Sequence, residues 1–281
     1  MLSYRHASHA GNHADVLKHL VLVQLLDYLT LEDKPVCYID THAGAGRYSL
    51  ACGRSQQNRE FENGIVRLWR RGDLPDPVAR YVSLVRELNP NGRLQTYPGS
   101  PWLAQRLLGP YDRLNLFELH DSEIGPLADL FAADPRAKVL HADGLAGCIG
   151  LLPPKERRGL TLFDPAYEVK SDYRSVVETL VRAHRRFAPG IFALWYPILE
   201  GRRSDTMEGA IRAAGIPRVQ VLELGTAAPG SVEGMAASGM LVVNPPWTLA
   251  PAMEVALPWL SAALRTGPKG HFRVHTRSGK P

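Results

Sequence analysis

The sequence predicts an α/β fold on a mainly parallel, doubly wound sheet, with a late antiparallel strand and a small helical insertion. Three observations carry this. Short apolar runs that read as strands alternate with segments of helical periodicity along most of the 281 residues, the pattern of strand–helix–strand units. Residues 51–96 break the alternation, being polar, arginine-rich and interrupted by Pro75, Pro77 and Pro90. Two strand-like runs, 219–225 and 239–245, then lie close in sequence, which suits antiparallel pairing.

In chain order, residues 14–29 carry apolar residues at helical spacing, with Asn12 placed to cap them. After Pro35, residues 36–40 (VCYID) read as a buried strand, followed by the glycine-rich turn THAGAG. Within the insertion, 62–71 and 78–88 read as helical. The expected division is one domain, 1–50 and 97–281, interrupted by a helical subdomain at 51–96. Further strands fall at 113–118, 137–143, 159–164 and 190–197, and helices at 121–133, 171–187 and 204–214. Right-handed crossovers put the C-terminal ends of the parallel strands on one rim, where ligands bind in such sheets.

Composition narrows the class. An apolar share of 45% with 22% charged residues fits a soluble globular chain. No apolar run approaches the ~18–20 residues that span a bilayer, and the first nineteen residues hold no apolar leader core. Three cysteines without a CxxC pair suit a reducing, cytoplasmic setting. A net charge of +5 permits a polyanionic partner. The arginine clusters Arg67/Arg70/Arg71, Arg157/Arg158, Arg182/Arg185/Arg186 and Arg202/Arg203 are solvated helix faces unless several surround one cleft. The absence of coiled-coil or long exposed apolar patterning leads us to expect a monomer.

An acid or a glycine closes each of the first four parallel strands: Asp40 with Thr41–Gly46, Glu118, Asp143-Gly144, and Asp164. The Gly44-x-Gly46 turn lets backbone approach a ligand. A dinucleotide fingerprint would need Gly or Ala at position 49, where this chain has Ser49. Glu118 is placed to accept hydrogen bonds from two ribose hydroxyls and Asp143 from an adenine amino group; either acid could instead cap the following helix.

Asp164-Pro165-Ala166-Tyr167 is the most informative tetrapeptide. An aromatic amine is a poor nucleophile because its lone pair is delocalised into the ring. Two acceptors, the Asp164 carboxylate and the Pro165 carbonyl, can draw its two N–H bonds towards a tetrahedral nitrogen, while Tyr167 stacks on the base. Asn244-Pro245-Pro246-Trp247 fits the amino-methyltransferase pattern more closely. It follows what reads as the last, antiparallel strand, which puts it on the opposite rim and makes it a structural turn. The N-terminal cluster of Tyr4, His6, His9, His13, Lys18 and His19 matches no familiar zinc spacing. No metal is expected; a basic, aromatic segment that covers the cleft and contacts RNA is.

SYRHxxHAGNHADVLKH at the N-terminus, DTHAGAGRY at 40–48, YPGSP at 97–101, ALWYP at 193–197 and ASGM running into NPPW together resemble the bacterial RlmJ family. The similarity runs nearly end to end. It implies a Rossmann-like, class I S-adenosylmethionine-dependent methyltransferase that acts on adenine N6 in 23S ribosomal RNA. It implies S-adenosylmethionine contacts from His19, His42, Ser100, Glu118, Asp143 and Gly144, a catalytic Asp164, and an RNA contact from Tyr4 assisted by His6 and Lys18. The family's usual tetrapeptide is Asp-Pro-Pro-Tyr; Ala166 replaces its second proline and leaves the Pro165 carbonyl in place. Rival readings are a DNA adenine methyltransferase with the same chemistry, an RNA-binding protein without turnover, and a nicotinamide-dependent oxidoreductase, which Ser49 disfavours.

Overall fold

The computed structural model describes residues 6–51, 55–168, 171–199, 203–227 and 235–278. Tyr4, Cys52 and Arg202 lie outside them. The strands are β1 (Cys37–Asp40), β2 (Arg47–Ser49), β3 (Thr96–Pro98), β4 (Arg113–Glu118), β5 (Ala137–His141), β6 (Gly159–Phe163), β7 (Ile191–Ile198), β8 (Arg218–Gly225), β9 (Ala237–Val243) and β10 (His271–Ser278). Eight of them form one sheet in the order β10-β8-β9-β7-β6-β1-β4-β5, and β2 pairs with β3 in a separate ribbon. The run from β5 to β7 is parallel throughout. β9 inserts antiparallel between β7 and β8, and β10 closes the edge antiparallel to β8.

The central strands are covered on both faces, as their unbroken apolar runs require. Tyr38, Leu162, Ala193 and Trp195 point to one layer, and Ile39, Phe163, Phe192 and Leu194 to the other. The second layer is filled by the helices Ser171–Arg186 and Arg203–Ala213. The first layer is dominated by the helix His13–Leu29, which crosses β6, β7 and β9 and is flanked by the helices Asp76–Glu87, Ser100–Leu107 and Leu249–Ala263. Asn12 caps it, accepting from the amides of Ala14 and Asp15. Nearly every residue of it is buried, the polar His13, Asp15, Lys18 and His19 included.

Several expectations need correction. The strand read at 239–245 is β9, ends at Val243 and is not the last, because β10 follows. β10 carries a basic residue at every second position on a sheet edge, so it lacks a core strand's apolar run. The helix Leu249–Ala263 was hidden by Pro258 in its interior. The helical stretch read at 62–71 divides into a 3₁₀ turn, Glu60–Asn63, and a single turn, Val66–Trp69. Gly64 sits at the break because a Cβ there would lie 2.0 Å from the Gly11 carbonyl oxygen. Ile65 donates to that same oxygen (2.9 Å), so the insertion lies directly on the N-terminal segment. No described helix is long and apolar enough to cross a membrane.

Candidate active site

The rim at the C-terminal ends of the parallel strands carries two cavities. The first, about 240 Å³, begins at the glycine turn after β1. Gly44 has φ +60° and Gly46 φ +75°. A Cβ on Gly44 would lie 2.0 Å from the Tyr48 hydroxyl, which instead accepts from the Ala45 amide (3.2 Å). The Gly44 amide donates to Glu118 Oε2 (2.7 Å) and the His120 amide to Glu118 Oε1 (2.6 Å), which fixes the carboxylate at the end of β4. Asp143 is both a cap and a cavity residue: Oδ1 accepts from Leu145 (2.8 Å) and Ala146 (3.3 Å), and no described residue bonds its Oδ2. Gly144 is pressed on the β1 turn; a Cβ there would lie 2.0 Å from the Thr41 carbonyl oxygen.

Asp40 acts beneath the cavity. Its Oδ2 accepts from the Tyr38 and Ser100 hydroxyls (2.7 Å each), tying β1 to the start of the Ser100–Leu107 helix. Burial pushes its pKa up to about 6 against those bonds. His42 and His19 also line the cavity, and burial lowers them to about 4 and about 3, so both are neutral at pH 7. His19 Nδ1 bonds the Tyr97 hydroxyl (2.9 Å), which bonds Tyr81 (2.7 Å).

At the end of β6, Asp164, Pro165 and Ala166 close the first cavity. Asp164 and Ala166 also line the second, about 530 Å³, together with His6 and Lys18, which border both. His13, Tyr167, Trp195 and Glu60 belong to the second alone. Tyr167 therefore does not face the first cavity with the rest of its tetrapeptide. It adopts φ +54°, rare for a bulky residue. That turn swings its ring to within 4.4 Å of Tyr173 and 5.8 Å of Trp195, and its hydroxyl donates to the Trp195 carbonyl (2.7 Å).

Lys18 Nζ stands between two carboxylates, 2.5 Å from Asp164 Oδ2 and 2.8 Å from Asp15 Oδ1. Burial raises the Asp164 pKa, and the Lys18 ammonium opposes that rise. Asp15 Oδ2 accepts from His6 Nε2 and the Gly11 amide, both at 2.9 Å. Burial works against ionisation of Asp15, but His6 and Lys18 together hold its carboxyl well below the usual range.

The site thus gathers every sequence-proposed residue within the described segments. Asp15, Tyr48, Tyr97 and Trp195 were missed. Tyr48, Tyr97 and Trp195 fall inside the family-like motifs but were given no role, while Asp15 left a physical trace: an acid three residues before Lys18 in a mainly apolar helix, where buried charges come paired. Neither cavity is lined by an arginine among the described residues. The histidines go to separate partners, His6 to Asp15 and His9 to Glu60 (2.9 Å). No group of three His, Cys, Asp or Glu among the described residues could hold a metal ion. Asn244 lies on the opposite rim, where its side-chain amide donates to the carbonyls of Ala188 and Gly190 (2.7 Å each), and Trp247 is 76% exposed.

A family model described as ribosomal RNA large subunit methyltransferase D, RlmJ, matches residues 33–277. The chain is 45% identical over 274 residues to ribosomal RNA large subunit methyltransferase J of Escherichia coli K12, covering 98% of each. It is 44% identical over 275 residues to the protein of the same name from Haemophilus influenzae, again covering 98% of each. Among solved structures, protein LPL1258 of Legionella pneumophila superposes with a TM-score of 0.89 at 35% identity, over 96% of this chain and 99% of that one. The family model and both relatives match this chain over most or nearly all of its length: the chain belongs to the RlmJ family of ribosomal RNA large subunit methyltransferases.

Proposed function

We propose that this protein transfers a methyl group from S-adenosylmethionine to the exocyclic N6 of an adenine in 23S ribosomal RNA. The observation that carries the reading is the Asp164-Pro165 turn, which borders a cavity of carboxylates and glycine backbone and, through Asp164, an aromatic one. The first cavity fits the cofactor. Gly44 and Gly144 let the cavity wall pack closely, against the Tyr48 hydroxyl and the Thr41 carbonyl, Glu118 is held by two amides, and Asp143 retains an oxygen that no described residue bonds. Glu118 would take the ribose hydroxyls and Asp143 the adenine amino group, with His19, His42 and Ser100 around them. The cofactor, when bound, supplies an electrophilic methyl group on a sulfonium.

The remaining work falls to the chain. Asp164 and the Pro165 carbonyl accept the two N–H bonds of the target amine, and Asp164 takes the proton that the amine loses. Tyr167 and Trp195 offer aromatic surface to a base that must leave its stack to enter. Orientation of the amine accounts for much of the rate. Tyr4, His6 and Lys18 would meet the RNA beside it, and the helical segment 51–96 would act as a subdomain that supports them. A ribosomal RNA substrate implies the cytoplasm.

The test is transfer of labelled methyl from S-adenosylmethionine to protein-free 23S ribosomal RNA, with nucleoside analysis, for the native chain and Asp164→Ala. N6-methyladenosine from the native chain alone is expected. No transfer by the native chain, with cofactor binding intact, would overturn the reading.

A further inference from the structure

The geometry points to Asp15 as a positioning residue for methyl transfer, which compensates the charge of Lys18 and so lets that cation hold Asp164 without opposing the reaction. This rests on the proposed function, since it assigns a role within that chemistry.

Asp164 must face a cationic methyl donor and an amine that becomes cationic as it is methylated. An uncompensated ammonium at 2.5 Å would hold the carboxylate still, but it would also repel both cations and weaken Asp164 as a proton acceptor. Asp15 removes that conflict. It is 2% exposed, and its Oδ1 lies 2.8 Å from the same Nζ. Its other oxygen binds His6 and the Gly11 amide, so the carboxylate cannot swing away from Lys18 without breaking two bonds. Two carboxylates around one ammonium leave the group with a net negative charge, the sign that favours a sulfonium nearby. The bond to His6 extends the link to a segment that borders both cavities. Charged and titratable groups facing Asp164 are Lys18, His6 and Asp15 from the N-terminal segment, Tyr38 and Asp40 from β1 and Tyr167 from its own turn.

Asp15→Asn is the informative variant. The amide oxygen can still accept from His6 and Gly11, while the NH₂ group faces the ammonium and cannot pair with it. The measurement is kcat on ribosomal RNA for the native chain, Asp15→Asn, Lys18→Met and the double variant. We expect Asp15→Asn to lose roughly tenfold or more in kcat, and the double variant to be no slower than Lys18→Met alone, because Asp15 acts through Lys18. Additive losses would overturn the proposal, as would an Asp15→Asn chain that fails to fold while Lys18→Met folds, since either outcome makes Asp15 a structural cap. A second readout needs no turnover. In carboxyl-labelled aspartate NMR of the RNA-free protein, with Asp164 assigned through Asp164→Asn, the Asp164 titration should move down by about one pH unit in Asp15→Asn. No downward movement would overturn the proposal even in a chain that methylates RNA. A downward movement in a chain that methylates no RNA would leave the charge coupling standing and remove only the proposed substrate.

Discussion

Two turns of this molecule share nearly one motif and differ in everything that matters for chemistry. Asp164-Pro165-Ala166-Tyr167 follows β6, and Asn244-Pro245-Pro246-Trp247 follows β9. Each holds a non-glycine residue in the left-handed region, Tyr167 at +54° and Asn244 at +52°. Asparagine tolerates that conformation well, and Asn244 donates its amide to the carbonyls of Ala188 and Gly190, the second a buried bond. Tyrosine does not, and its strain aims a ring into a cavity. β6 runs with the parallel strands and β9 against β7, so equivalent tetrapeptides emerge on opposite rims. Strand direction, more than motif quality, decides which one borders the cavities.

The largest effect tests that comparison directly. Asp164→Ala should cut methyl transfer by roughly 10²–10⁴-fold while leaving the melting temperature near the native value. Asn244→Ala should do the reverse: activity per folded molecule within about twofold, and stability lower by about 1–3 kcal/mol, mainly from the buried Gly190 carbonyl left short of a donor. Denaturant unfolding and single-turnover transfer on both variants would separate the two. A large rate loss in Asn244→Ala with stability intact would break the comparison.

The Asp164 rim also differs in what it buries. Burial lowers His19 to about 3 and His13 and His42 to about 4, against 6.5 in their ordinary state. An unfolded chain therefore binds more protons at these positions below pH 6.5, and their contribution to stability is complete above that pH and lost as pH falls towards 4. Each should cost about 2 kcal/mol at pH 5. Asp40, raised to about 6, works the other way over roughly pH 4–6 and offsets only part of this. Thermal unfolding should show a falling melting temperature from pH 8 to pH 5, with a shallower fall in His19→Gln. A rising melting temperature over that range would mean that these rings are not held neutral.

Gly144 supplies a backbone contrast. A Cβ at Gly144 would meet the Thr41 carbonyl oxygen at 2.0 Å, whereas one at Gly125 would meet nothing within 4 Å. Gly144→Ala should weaken equilibrium binding of S-adenosylmethionine by roughly tenfold or more, an allowance for displaced backbone. Gly125→Ala, in an open helical position, should leave it unchanged. Equal affinities in the two variants would show that the Thr41–Gly144 contact does not shape the cofactor side.

Much of this was legible in the sequence, because buried parallel strands are written as short apolar runs and their ends as acids or glycines. Asp40, Glu118, Asp143 and Asp164 could be lined up on one rim from order alone. The missing pieces are those whose cause is distant in the chain. The bond from Lys18 to Asp164 joins residues 146 apart, and nothing near either announces the other. The left-handed turn at Tyr167 depends on partners at Tyr173 and Trp195. β10 looks polar because it is an edge, and the helix Leu249–Ala263 looks broken because Pro258 is tolerated inside it by packing that local propensity does not register.

The smallest effect is expected from making the two tetrapeptides alike. Ala166→Pro would give the β6 turn the double proline that the β9 turn already has. A proline at 166 fixes its own φ and restricts Pro165 before it. Both restrictions act on the backbone that presents the Pro165 carbonyl. No hydrogen bond from the Ala166 amide is present to be lost among the described residues. The left-handed conformation lies at Tyr167, beyond the substitution, and is held by the hydroxyl bond to the Trp195 carbonyl. Turnover should therefore change by less than about threefold, within the ~0.4–1 kcal/mol typical of a compatible proline acting on chain entropy. The measurement is kcat on ribosomal RNA beside the melting temperature. A gain above about tenfold, larger than chain entropy supplies, would mean that Ala166 leaves the acceptor carbonyl loose, and that the stiffness of this turn, more than the direction of its strand, limits the rate.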